Sequence, residues 1–270
     1  GGPSFDDGVS TVTNRGGFDI FVARFTPTGS LDWVSTAGGS ADDVAEDVQV
    51  RDGMVGTVGY FLSTDAVFGA DTVTNAGSAD AFLLRLGTNG QILGGSGFGG
   101  AAYDRALSVA GDPAGNILLA GEFTSSPARF GTNALGSLGR SGFLARFSTN
   151  MGLGGWALQI ADRDESIHAV ATGPAREIYV AGHYGAATLA IGGTVFTNAG
   201  GEDAFLARLT NDIIYFMSQP LDVVVNAGAG ASFTAAVEGE GPIGYQWFKG
   251  AAPLGGQNAA TLAIAAAVAG

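Results

Sequence analysis

One segment of this chain recurs at a nearly constant spacing. Asp19-Ile-Phe-Val-Ala-Arg-Phe25 returns as Asp80-Ala-Phe-Leu-Leu-Arg-Leu86, as Ser141-Gly-Phe-Leu-Ala-Arg-Phe147 and as Asp203-Ala-Phe-Leu-Ala-Arg-Leu209, at offsets of 61, 61 and 62 residues. A second marker keeps the period: Val58-Gly59-Tyr60-Phe61, Ala120-Gly121-Glu122-Phe123 and Ala181-Gly182-His183-Tyr184. A third precedes the first: Val12-Thr13-Asn14-Arg15-Gly16, Val73-Thr74-Asn75-Ala76-Gly77 and Phe196-Thr197-Asn198-Ala199-Gly200. Three markers in one register mean that a supersecondary unit is repeated and stacked, because a unit of this size cannot bury its apolar surface alone.

Each unit carries about four short strand candidates. In the second they are Ala81–Leu86, Ile92–Gly97, Ala106–Ala110 and Ile117–Phe123, divided by Thr88-Asn89-Gly90, the Gly-rich Gly97–Gly100 and Asp112-Pro113-Ala114-Gly115-Asn116. Asp42–Val50 has a helical look, but the run is short and its copies are β-branched. Four strands per repeat predict an all-β fold: a partial β-propeller of four-stranded blades. The period exceeds the usual 40–50 residues of propeller repeats and leaves room for a longer loop after the fourth strand. A parallel β-helix is the competing architecture, but its coils are too short for four strands. In the first marker Phe21, Ala23 and Phe25 share one face and Ile20, Val22 and Arg24 the other, both largely apolar, as in a sheet stacked between neighbours. Gly59, Gly121 and Gly182 fit a bulge or a close backbone approach.

These units resemble the SBBP-type bacterial β-propeller repeat, which reads roughly D-A-F-L-A-R-L, an aromatic strand, an Ala/Val strand and N-I-Y-V-A-G-x-F. Trp33 and Trp156 match the aromatic strand, where the second unit has Gly94, and Ile178-Tyr179-Val180-Ala181-Gly182 matches the last strand. The resemblance covers about residues 5–210. It implies a place in large bacterial surface and secreted proteins and no settled enzymatic activity. Closed propellers have 4–8 blades, and about 3.3 are expected in residues 1–215. Past Tyr215 the composition changes, and Ser218-Gln219-Pro220 reads as a linker. Residues 216–270, with Val223-Val224-Val225, Ser232-Phe233-Thr234-Ala235, Pro242, Tyr245-Gln246-Trp247-Phe248 and Thr261-Leu262-Ala263-Ile264, resemble bacterial immunoglobulin-like domains. That likeness implies the start of a β-sandwich, with Trp247 as core tryptophan and Ala235 where antibody domains have their first cysteine. The domain is shorter than the ~100 residues such a sandwich needs. The chain begins Gly1-Gly2-Pro3 without Met and stops at Ala269-Gly270 inside an unfinished pattern, so it reads as an internal segment of a longer protein.

Composition narrows the chemistry. Among 270 residues there are 12 Lys and Arg against 25 Asp and Glu, a net charge of −13. This argues against nucleic acid and anionic membrane surfaces, both of which need clustered positive charge. No apolar run reaches the roughly 18 residues of a membrane helix. Cysteine is absent, which removes disulfides, thiolate metal sites and Cys nucleophiles.

No motif marks a catalytic or cofactor-binding residue. Asp42, Asp43, Glu46 and Asp47 offer the oxygen ligands calcium wants but lack a defined loop with a central Gly. Calcium is therefore the one cofactor left open. Asp43 matches Asp104 and Glu165, whereas Asp47 matches Ser108 and Ala169, so the recurrent acid reads as a hydrogen-bonding device within the blade. The recurrent Arg24, Arg85, Arg146 and Arg208 are expected between blades, each bound to a neighbouring carboxylate or loop carbonyl, since a buried unpaired Arg is costly. His168 and His183, the two histidines, have no third ligand for zinc. Gly95-Ser96-Gly97-Phe98-Gly99-Gly100 matches G-x-G-x-x-G, but the register aligns Gly99-Gly100 with Gly38-Gly39, a turn between antiparallel strands rather than the start of a helix. No G-x-S-x-G elbow exists, and nothing marks a carboxylate pair for glycoside hydrolysis. The expectation is a non-catalytic, extracellular recognition or scaffold region of a large bacterial secreted or surface protein, serving adhesion or ligand binding to a protein or glycan. The alternative is an accessory region of a secreted polysaccharide- or protein-degrading enzyme whose catalytic domain lies elsewhere.

Overall fold

The computed structural model describes residues 5–6, 11–148, 155–160, 163–174, 176–191, 193–209, 215–218, 220–238, 243–250 and 252–267. Gly1, Gly2, Pro3, Gln219, Pro242, Ala269 and Gly270, used above, lie outside them. Every named element is a strand, and among the described residues no helix is long and apolar enough to cross a membrane. The chain divides into two compact units, one of Gly1–Thr149 with Trp156–Thr210 and one of Asn150–Gly155 with Asn211–Gly270.

In the first unit β1 (Phe5–Asp6) pairs with β2 (Thr11–Val12), and β3 (Ile20–Phe25) with β4 (Leu31–Ala37). Then β5 (Asp43–Arg51) and β6 (Met54–Phe61) lead into a small hairpin, β7 (Ala66–Phe68) and β8 (Asp71–Val73). The chain returns as β9 (Asp80–Gly87) and β10 (Ile92–Phe98). The next circuit runs β11 (Asp104–Gly111), β12 (Ile117–Phe123), the hairpin β13 (Ala128–Phe130) and β14 (Asn133–Leu135), then β15 (Ser141–Phe147) and β16 (Trp156–Ile160). The last runs β17 (Glu165–Thr172), β18 (Ile178–Tyr184), the hairpin β19 (Thr188–Ile191) and β20 (Thr194–Thr197), and β21 (Asp203–Leu209). The sheets are antiparallel and ordered β5-β6-β9-β10, β11-β12-β15-β16 and β17-β18-β21.

The four strands read in the second unit all form, but not as one sheet. β9 and β10 complete the sheet begun by β5 and β6, while β11 and β12 open the next. The reason is the hairpin: β7–β8 occupies the extra length of the repeat, and β9 folds back beside β6 with Phe82 opposite Gly59. Asp43–Arg51, with its helical look, is a strand because its backbone pairs along β6 from Asp43–Phe61 to Arg51–Met54.

Neighbouring sheets meet along their first strands, β5 against β11 and β11 against β17. Asp47 Oδ2 accepts from Ser108 Oγ (3.0 Å) and Val109 N–H (2.9 Å), and Ser108 Oγ accepts from Val170 N–H (3.2 Å). Arg51 Nη1 and Thr172 Oγ1 both reach the Gly111 carbonyl, at 2.6 and 2.7 Å. Burial follows from this stacking. Along β9, Ala81, Phe82, Leu83, Leu84 and Leu86 are all buried, on both faces of the strand. In β3 only one face is covered: Ile20 and Val22 are buried, but Phe21 is 66 % and Phe25 57 % exposed. A cavity of about 410 Å³ opens on that face, lined by Thr13, Asp19, Phe21, Phe25, Val34 and Thr36.

In the second unit β22 (Tyr215–Ser218) pairs with β24 (Ala236–Glu238), β23 (Ala231–Thr234) with β27 (Thr261–Ile264), and β25 (Phe248–Lys249) with β26 (Ala252–Pro253). Ala235 and Leu262 are buried. Trp247 is half-buried and donates its indole N–H to the Ala259 carbonyl (2.9 Å).

Candidate functional site

Positions that recur between repeats turn inward and hold the backbone. Asp43, fully buried, accepts from Gly39 N–H (2.7 Å), Leu62 and Ser63 N–H (each 3.2 Å) and the Ser63 hydroxyl (2.7 Å). Even so, burial outweighs these donors and raises its carboxyl above the ordinary aspartate value. Asp104 repeats the pattern with Gly100, Thr124 and Ser125. In the third repeat Glu165 is buried likewise and accepts from Arg163 N–H (2.7 Å). The third marker is a capped turn. Asn75 Nδ2 donates to the Phe61 carbonyl (2.6 Å), its Oδ1 accepts from Gly77 N–H, and Asp80 accepts from Ala76 N–H (2.7 Å). Asn198 and Asp203 do the same with Tyr184, Gly200 and Ala199.

The recurrent glycines answer to a bulge. Glu46, Leu107 and His168 are each the extra residue in the ladder between a sheet's first two strands. The bulge presses a carbonyl against the facing glycine. A Cβ would lie 1.9 Å from the Val44 oxygen at Gly59, 2.1 Å from that of Arg105 at Gly121 and 2.0 Å from that of Ser166 at Gly182. No side chain fits.

Positions between these fixed ones vary, and they converge. At the repeat's offsets, Val44 corresponds to Arg105 and Ser166, Tyr60 to Glu122 and His183, Asp42 to Tyr103 and Asp164, and Ala79 to Arg140 and Glu202. Together with the bulge residues they make a strip across three sheets that grades from buried Glu122 through half-buried Tyr60, Tyr103, Arg105 and His183 to exposed His168 and Glu202. Tyr60 and Tyr103 lie with ring centroids 5.8 Å apart, and the Arg105 guanidinium is 6.0 Å from the Tyr103 ring. Arg105 Nε donates to Glu122 Oε1 (2.8 Å), and its Nη1 is 4.0 Å from Glu46. His168 Nε2 and His183 Nδ1 share a 3.0 Å hydrogen bond, and His183 Nε2 is 3.8 Å from Glu202. Arg140 bridges Asp164 (2.7 Å) and Glu202 (3.2 Å). Burial, and next the neighbouring His183, lower the pKa of His168 below the ordinary histidine value, so its ring is neutral at pH 7. Glu122 Oε2 is enclosed with no hydrogen-bond partner among the described residues.

The four recurrent arginines do not share one role. Arg24 Nη1 donates to the Thr88 carbonyl of the next sheet (3.1 Å), beside Trp33, whose indole N–H uses the same oxygen (3.0 Å). Arg146 is buried and gives two hydrogen bonds, from Nε (2.9 Å) and Nη2 (2.6 Å), to Asp112. Asp112 lies in the β11–β12 turn of the same sheet, so this pair is not between sheets; the partner came into reach because each sheet draws on two repeats. Burial opposes ionisation of Asp112, but Asn116 and Arg146 outweigh it and lower its pKa. Arg208 is exposed.

The acidic cluster of the first unit is dispersed. Asp42 caps Phe18 N–H (2.9 Å), Asp43 turns into the core, Glu46 faces Arg105 and Asp47 ties β5 to β11. Among the described residues no group of three or more His, Asp or Glu is placed to hold a metal ion. The G-x-G-x-x-G glycines make room for aromatics: a Cβ on Gly95 would meet the Phe68 ring at 2.5 Å, and one on Gly97 the Phe61 ring at 2.9 Å. Sequence reading singled out the two histidines but missed Arg105, Glu122, Arg140 and Glu202. Their only signal is departure from the repeat at positions next to the fixed ones. No family model matches the chain and no curated protein matches it, so the likeness to SBBP-type repeats rests on the marker motifs themselves.

Proposed function

We propose that this chain is a non-catalytic recognition and scaffold region of a large secreted or surface protein. On this reading the three sheets are propeller blades, and residues 216–270 begin an immunoglobulin-like domain. The repeat, the sequential strand order and the stacking along first strands support the blades. The observation that carries recognition is the strip. Recurrent residues are consumed in holding the backbone, whereas Tyr60, Tyr103, Arg105, Glu122, His168 and His183 sit together at positions the repeat leaves free. Tyr and Arg at a partly enclosed surface supply broad, amphipathic contact with a polar partner. The Tyr60–Tyr103 pair also suits a sugar face, which favours the second reading, an accessory region of a polysaccharide-degrading enzyme.

Affinity electrophoresis through gels holding soluble neutral or acidic polysaccharides, beside a pull-down on immobilised extracellular polypeptides, separates the two partner classes. Binding that disappears in a Tyr103→Ala/Arg105→Ala variant and survives in Arg24→Ala supports recognition through the strip. Binding that the double variant leaves intact contradicts it.

A further inference from the structure

We propose that Asp80 is a proton-binding site: it is held as a carboxylic acid in the folded chain and shares its proton, through Oδ1, with the carboxylate of Asp104. The two carboxyl groups are unequally hydrogen-bonded. Asp104, fully buried, accepts from Gly100 N–H (2.8 Å) and the Ser125 hydroxyl (2.6 Å) at Oδ2, and from Thr124 N–H (3.0 Å) and Ser125 N–H (3.1 Å) at Oδ1. Donors crowded around one carboxyl of a close pair favour placing the charge there rather than on its partner. Asp80 is 4 % exposed and receives Ala76 N–H at Oδ2, while its Oδ1 is enclosed with no hydrogen-bond partner among the described residues. A Cβ on Gly99 would be 2.5 Å from both Asp80 Oδ1 and Asp104 Oδ2, so the two oxygens lie no more than about 5 Å apart, twice that distance. Two buried carboxylates so close cannot both stay ionised without a counter-charge.

Among the described residues no counter-charge faces the pair. The elements around Asp80 are β6, whose Phe61 pairs with it and whose titratable neighbour Tyr60 lies against Tyr103, the turn holding Ala76, the loop holding Gly99 and Gly100, the start of β11, and β13, whose Arg129 bridges Gly99 through its backbone. Arg129 itself is exposed, Arg105 is committed to Glu122 and Glu46, and burial raises the pKa of the Tyr103 phenol, keeping it neutral. Among the described residues, Asp104 is the one charged group that bears on Asp80. Burial above all, and then the Asp104 charge, push the Asp80 carboxyl up to about 6 against the pull of Ala76 and Gly100 N–H.

The other repeats serve as internal comparisons. In the first, Asp19, Gly38 and Asp43 recreate the pair, but the position of Ala76 is Arg15, whose Nη1 reaches the Gly38 carbonyl (3.3 Å). In the third, Ser141, Ile160 and Glu165 replace Asp80, Gly99 and Asp104 together. There a hydroxyl, a neutral donor, stands where the second repeat needs a protonated acid.

The sign follows from linkage. A folded value of about 6 against an unfolded value of about 3.9 means that the folded chain holds the extra proton between these limits. Its folded-to-unfolded ratio therefore falls by about 50-fold as pH rises from 4 to 7. Carboxyl carbon NMR titration of the full chain, with denaturant unfolding of the parent and Asp80→Asn at pH 4.5 and 7, tests this. The carboxamide can still accept from Ala76 and donate to Asp104. Expected are one Asp resonance titrating near 6 that the variant lacks, and a variant whose ratio falls at least tenfold less than the parent's. Should the variant fail to fold, the parent titration decides alone. Asp resonances that all titrate below about 5, or an unchanged pH dependence in a folded variant, overturn the proposal.

Discussion

A missing Cβ decides whether the ladder can bulge at Gly59, Gly121 and Gly182. Because the obstruction at Gly121 is a backbone oxygen 2.1 Å from where the methyl would go, Gly121→Ala must pull β11 off β12. We expect a loss of about 2–4 kcal/mol in denaturant unfolding. Gly56→Ala is the control, since its Cβ would meet only Leu83 and Val109 at an ordinary 3.8 Å, and its cost should stay under about 1 kcal/mol. Arg146 belongs to the same scale. Truncating it to Ala leaves the Asp112 carboxylate buried and unpaired, for a cost of about 3–5 kcal/mol, most of which Arg146→Met with Asp112→Asn should restore. The glycine role was legible because three copies share it. The Arg146–Asp112 pair was not, since Asp112 aligns with Arg51 and Gly173 in the other repeats and no periodic signal points to it.

At the scale of strands, the period was readable but its phase was not. A repeat has no origin, so Ala81–Leu86 and Ile117–Phe123 in one repeat gave no hint that a sheet is divided between two. Only the hairpin, whose Ala66 and Phe68 are fully buried, reveals where β9 turns back beside β6. Position within the stack then sets the cost of mutation. Phe82, with both neighbours present, is fully buried, and Phe82→Ala should cost about 3–5 kcal/mol. Its counterpart Phe21 is exposed on an uncovered face, and β3 pairs among the described residues with β4 alone. Phe21→Ser with Phe25→Ser should therefore leave the melting temperature within a few degrees and reduce light scattering by concentrated protein, because an apolar face beside an open edge recruits other chains. Increased scattering by the double variant would contradict this.

For the whole molecule, the division of labour between recurrent and variable positions is what connects the fold to the proposed recognition. Recurrence marks Asp43, Gly59, Asn75 and Asp80 as parts of the frame, and the strip from Tyr60 to Glu202 uses the remainder. That strip was hard to see in the sequence because its members keep the repeat's spacing but not its residue types, and they adjoin only once three sheets stack. The account therefore stands on the stacking of first strands one repeat apart. Since the chain has no cysteine, a pair can be introduced without competitors. Asp47→Cys/Ser108→Cys replaces side chains that touch at 3.0 Å between β5 and β11. It should oxidise to an intramolecular disulfide in the folded monomer, while Asp47→Cys/Ala169→Cys, spanning two repeats, should not. Free thiols in the first pair after mild oxidation, or a disulfide in the second, would contradict the stacking.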